Sequence, residues 1–162
     1  VKEISGIPQS QIDYIVIYKA TGFGAGPTDD SGPGTGCLSG VPVTGKCNVY
    51  RPADFAKARA DADERAAQET AEEAGTPRTL DESKLWFGCR TTGPNANKSL
   101  DRYWCPKDRK VARSDNNRQG PDYVGVWIKA RHSWVTKMFG SNKTITDQSV
   151  IQIEPRVEEA TS

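Results

Sequence analysis

The chain has 162 residues, the length of one ordinary domain, and its 22 basic residues nearly cancel its 21 acidic ones. This balance excludes the global positive field that draws proteins onto nucleic acid, and the sequence has no run of 18 apolar residues that could span a membrane. Only 28 residues are Val, Ile, Leu or Phe, and just four of them are Leu. We therefore expect a small core of Val and Ile, which favour sheets, rather than a Leu-packed helical bundle.

The Val and Ile residues gather in three short segments, which predict three strands. The first segment, near 12–18, reads IDYIVIY; the second, near 123–131, begins YVGVWI; the third, near 145–154, begins ITDQSVIQI. These segments are β-branched and bounded by turn formers, and the first is apolar on both faces, which predicts a central strand. We expect an α+β fold with a mostly antiparallel sheet, in a single domain spanning 1–162 that ends in a tail at 156–162.

Two helices and one long loop complete the predicted architecture. Residues 52–74 form the one long helical pattern, with proline at the first helical position and Gly75 after the last. Its apolar residues are alanines apart from Phe55, so we expect a surface helix held by its propensity and its first turn. A shorter helix is predicted near 134–139. The glycine-rich segment 21–48 is predicted to be a loop, and it lacks the residues of a phosphate-binding loop.

The four cysteines predict two disulfides. Cys37, Cys47, Cys89 and Cys105 are widely spaced, with no CxxC pair, and the only histidine is His132. This pattern is unlike a zinc site or a thioredoxin-like redox site, and four free thiols are the remaining alternative. Of the three possible connectivities we favour the nearest-neighbour pairing, Cys37–Cys47 with Cys89–Cys105. Each bridge then closes a loop of roughly ten to twenty residues and contributes about 3 kcal/mol in the chain-entropy model. Disulfides indicate an extracytoplasmic location.

An aromatic cluster flanks the second cysteine pair. Trp86, Phe87, Tyr103 and Trp104 are interpreted as packing around that pair, where they would substitute for a missing core. The alternative is a secreted module that uses Trp86, Tyr103 and Trp104 as a stacking surface for a carbohydrate or peptide. Basic residues nearby would also allow nucleic-acid binding, which the near-neutral charge of the chain disfavours.

The sequence offers little for catalysis. His132 has no second histidine to work with, and no serine-hydrolase, metalloprotease or kinase motif is present. A segment starting at Asp115 resembles the first half of a calcium loop but lacks the final glutamate. We therefore expect no catalytic residues, no metal and no cofactor. A small secreted enzyme with a dispersed pair of carboxylates is the remaining enzymatic alternative.

Five segments carry a family resemblance: YIVIYKA at 14–20, CNVYRPADF at 47–55, WCPKDRK at 104–110, GPDYVGVWIKARHSWVTKMFG at 120–140 and ITDQSVIQIEP at 145–155. Together they resemble the extracytoplasmic domain of TadE-like proteins, which are pilin-like proteins of the bacterial tight-adherence (Tad/Flp) pilus and secretion machinery. The form resembled is the disulfide-bearing one of actinobacteria.

The resemblance implies a pilin-like head that is not an enzyme. It would be a minor pilin or an assembly protein, and it would act through contacts with other pilus or secretion-system proteins and not with nucleic acid. Residues 1–11 would follow a hydrophobic helix that is absent from this sequence, and that helix would supply the only membrane contact. The expected location is the cell surface or envelope, anchored to the cytoplasmic membrane or in the pilus.

Overall fold

The computed structural model describes residues 8–20, 34–109, 123–133 and 142–152. These residues form an antiparallel sheet of four strands in the order β2-β1-β3-β4. The strands are β1 (Ile12–Ala20), β2 (Cys47–Tyr50), β3 (Tyr123–Ser133) and β4 (Asn142–Gln152). The helices are α1 (Gly34–Leu38) and α2 (Pro52–Glu73), and three single turns of 3-10 helix lie at Gln9–Gln11, Glu82–Lys84 and Pro106–Asp108.

The α+β prediction is confirmed, and β1 is a central strand that pairs with both β2 and β3. The helix predicted over 52–74 is α2, with Pro52 at its first position. Strand β2 was not predicted, because four residues that include an asparagine give no alternating apolar pattern. Part of the segment predicted as a loop forms α1 and the start of β2. The predicted helix near 134–139 and the tail at 156–162 lie outside the described residues.

One face of the sheet carries the main apolar core. Tyr14, Val16 and Tyr18 of β1 are buried there beside Trp127 of β3, and the Cys37–Cys47 disulfide closes over them. The Tyr14 hydroxyl donates a hydrogen bond to the carbonyl of Leu38 at 2.5 Å. Strand β1 thus contacts the α1 segment both by apolar packing and through the Tyr14–Leu38 hydrogen bond.

The opposite face is covered unevenly. At the β2 end, Asn48 and Tyr50 are buried under residues that follow α2. At the β4 end, Ile145 and Ile151 are 40% and 57% exposed. Among the described residues, no helix has the length and apolar character needed to cross a membrane.

Candidate functional site

Both predicted disulfides are present. Cys37 pairs with Cys47 at a Cα–Cα distance of 6.3 Å, and Cys89 pairs with Cys105 at 5.5 Å. Two disulfides are typical of an oxidising, extracytoplasmic compartment. The second bridge lies within residues 78–109, which we call the loop layer, because they cover the buried end of β2 and contact α2.

A buried carboxylate, Asp101, joins the loop layer to β2. It accepts hydrogen bonds from the Tyr50 hydroxyl, from the Arg109 guanidinium at 3.0 Å and from the backbone N–H of Gly88 at 2.9 Å. Burial, and next the negative charge of Asp101, raise the pKa of Tyr50 well above its ordinary value. At neutral pH the phenol therefore stays protonated and donates to the carboxylate.

Asn48 fastens the same strand to the loop layer through its side-chain amide. Its Oδ1 accepts from the backbone N–H groups of Tyr103 and Trp104 at 3.2 and 3.0 Å, and its Nδ2 donates to the Trp104 carbonyl at 2.7 Å. The side chain is fully buried, so these bonds satisfy groups that water cannot reach. The Asn48 side chain therefore binds the loop backbone through hydrogen bonds of the kind that a neighbouring strand would make.

Two acidic residues in the middle of α2 hold the other side of the loop layer. Asp61 is fully buried and accepts from Arg65 and from the backbone N–H groups of Trp86 and Phe87 at 2.6 and 2.9 Å. Burial raises the pKa of Asp61, but the bonds from Arg65 and the two N–H groups outweigh it and bring this pKa below its ordinary value. The predicted surface helix therefore has its first-turn capping and also contacts with the loop layer that were not predicted.

Glu64, one turn later, makes the matching contacts. Its carboxylate accepts from the backbone N–H of Asp81 at 2.8 Å and from the Arg78 guanidinium, and it lies 3.4 Å from the Lys84 ammonium. The Asp81 N–H is the main reason that the pKa of Glu64 is lowered, with Lys84 and Arg78 adding to it against the opposing effect of burial. The acids of α2 thus act as acceptors for backbone N–H groups of the loop layer.

The aromatic residues are divided between packing and surface. Trp104 is only 2% exposed and lies under the Arg109 guanidinium, 4.8 Å from the ring centroid. Trp86 and Tyr103 are half-buried, and the Lys57 ammonium lies 5.0 Å from the Trp86 centroid. The three rings therefore do not share one exposed platform of the kind that a stacked sugar or base requires.

A groove of about 340 Å³ lies where the first turns of α2 meet the loop layer. Its charged lining residues are four basic side chains and one carboxylate: Arg51, Lys57, Lys98, Arg102 and Asp54. We call it the basic groove. No local charge run marks this groove in the sequence, because its charged side chains come from two segments far apart in the chain.

The two remaining candidate residues are Asp115 and His132. Asp115 lies outside the described residues, and His132 is half-buried on β3. Within the described ranges, no group of three or more His, Cys, Asp or Glu side chains could hold a metal ion. No protein-family model, curated protein or solved structure matches the chain.

Proposed function

We propose that this chain is the non-enzymatic, extracytoplasmic head of a component of a bacterial Tad/Flp-type pilus or secretion system. It would be a minor pilin or an assembly protein that presents a fixed surface to other proteins of that machinery. The observation that carries the proposal is how the loop layer is built: one disulfide closes it internally, Asp101 joins it to β2, and Asp61 and Glu64 join it to α2.

The use of those carboxylates supports a presenting role. Asp61, Glu64 and Asp101 each accept a hydrogen bond from a loop N–H, and each also contacts a cation. Acids committed in this way orient backbone; a catalytic pair would need one carboxylate free to exchange a proton with a substrate. A loop surface held rigidly loses little entropy when a partner binds, which favours repeated assembly contacts.

The outer strand adds a second surface suited to contacts. Strand β4 is an edge strand of 11 residues, and eight consecutive residues from Asn142 are exposed. Its exposed Ile145 and Ile151 could pack against apolar side chains of a partner protein. Edge strands also offer unpaired backbone groups to neighbouring chains.

Deleting the gene in the native host tests the proposal. Loss of Tad/Flp pili by electron microscopy, and their return when the full-length gene is supplied, is the expected result. A photo-crosslinking residue at Ile151 should join the protein to pilus or secretion-system components, whereas the same residue at buried Val16 should not. Normal pilus assembly and secretion in the deletion strain would overturn the assignment.

A further inference from the structure

We propose that the chain associates head to tail with a second copy of itself. In this contact, the basic groove of one copy receives the acidic end of α2 from the next copy. The inference goes beyond the proposed function, because it names both surfaces and the occupant and needs no other pilus protein.

The lining of the groove has an excess of positive charge. Asp54 is the one carboxylate among its lining residues, and it is paired with Lys57 at 3.2 Å. Arg51 donates to the Gly40 carbonyl at 2.7 Å. Lys98 is exposed and makes no ion pair within the described part of the chain, and Arg102 lies over the Tyr103 ring at 4.5 Å. These cations suit a partner that brings carboxylates.

The other end of α2 carries the opposite charge. Glu69, Glu72 and Glu73 are exposed near the C-terminus of the helix, and its last turn has no basic residue. Gln68 donates to Glu72 at 2.8 Å, and none of the three glutamates forms an ion pair with another described residue. Carboxylates are unfavourable here, because the last carbonyls of a helix already give it a negative end. Residues that are locally unfavourable in this way are expected where a surface binds a partner.

The two surfaces cannot meet within one chain. A helix rises about 1.5 Å per residue, which places Glu73 about 24 Å along the axis from Lys57. The partner of the groove must therefore come from another copy. Because the joined surfaces differ, a pair of copies still has one groove and one acidic end free, and the contact can repeat into a ring or an open filament. A net charge of +1 leaves little overall repulsion between copies.

Charge reversal at the two surfaces gives a decisive test. One variant carries Lys57→Glu with Lys98→Glu, and the other carries Glu69→Lys with Glu73→Lys. Sedimentation velocity from micromolar to millimolar protein should show that the unaltered chain associates at low salt and dissociates at high salt. Each variant alone should associate at least about tenfold more weakly. An equimolar mixture should recover association, because each reversed surface then meets its complement.

Matched controls separate this contact from general charge effects and from misfolding. Arg59→Glu with Lys107→Glu changes the net charge as the groove variant does, and Asp63→Lys with Asp147→Lys matches the helix-end variant; all four positions are exposed. Both controls should associate like the unaltered chain, and all variants should melt cooperatively.

Three results would overturn the inference: an unaltered chain that stays monomeric at millimolar concentration in low salt, controls that weaken association as much as the test variants, or a mixture that fails to recover it. Loss of pili in the deletion strain together with a monomeric chain would refute only this inference. Normal pili together with a self-associating chain would refute only the pilus assignment.

Discussion

Replacing Asp61 with alanine tests whether α2 holds the loop layer through a buried carboxylate. The substitution leaves the backbone N–H groups of Trp86 and Phe87 without their acceptor. An unsatisfied buried donor costs about 1–3 kcal/mol, and alanine returns roughly 0.5 kcal/mol of helix propensity. Since both loop residues are half-buried and water can reach part of this region, we expect a net loss of about 2–3 kcal/mol in the free energy of unfolding.

Urea denaturation followed by far-ultraviolet circular dichroism measures this loss, and hydrogen exchange of the Trp86 and Phe87 amides locates it. Asp61→Asn keeps one acceptor oxygen and should cost about 1 kcal/mol. Asp63→Ala, two positions along the same helix at an exposed site, should change stability by less than about 0.5 kcal/mol. The reasoning is refuted if Asp61→Ala behaves like Asp63→Ala and both loop amides keep their protection.

Three further predictions concern pH and packing. The pKa values of Asp61 and Glu64 lie below their ordinary 3.8 and 4.5, so their contribution to the free energy of unfolding is present above those values and is lost as pH falls through the folded-state pKa. In the double variant Asp61→Asn/Glu64→Gln, the free energy of unfolding should therefore fall less steeply below about pH 5. Urea denaturation at several pH values measures this, and an unchanged dependence on pH would contradict it. The pKa of Tyr50 is raised, so its contribution to the free energy of unfolding is present below about pH 10 and is lost as pH rises towards the folded-state pKa. Tyr50→Phe should therefore lose less stability at alkaline pH than the unaltered chain. In an ultraviolet titration, this variant should show one fewer tyrosine that ionises at unusually high pH. A Cβ at Gly125 would lie 2.1 Å from the buried ring of Tyr18, so Gly125→Ala should cost about 1–3 kcal/mol or more in thermal melts, and Tyr18→Leu in the same chain should recover part of it unless the clash is absent.

Elements that depend on near neighbours in the chain were predictable. The apolar residues on both faces of 12–18 predicted a central strand, and Pro52 with Gly75 marked the two ends of α2 to within a residue. The cysteine pairing followed from loop length, because closing a short loop costs little entropy. For the helix and the two disulfides, the deciding signals lie within about twenty residues of one another in the chain.

Elements that depend on distant partners were not predictable. Strand β2 has only four residues, and it is held partly by Asn48, whose partners lie 55 and 56 positions away. In the sequence, Asp61 and Glu64 have the pattern of exposed acids on an alanine-rich helix. In the structure they are buried against loop backbone 17 to 26 positions later. Nothing in helical periodicity separates a solvated carboxylate from one that a loop will cover.

By itself, then, the amino-acid sequence determined the class of fold, the long helix and the two covalent bridges, because period, propensity and loop closure are local properties. Only the tertiary structure decided which polar residues are buried, and only it brought Lys57 and Lys98 to one groove while leaving Glu69 and Glu73 at the far end of the same helix. The physical reason is that hydrogen bonds and charges act through space. Their partners are set by the way the chain packs, whereas the sequence shows only their order.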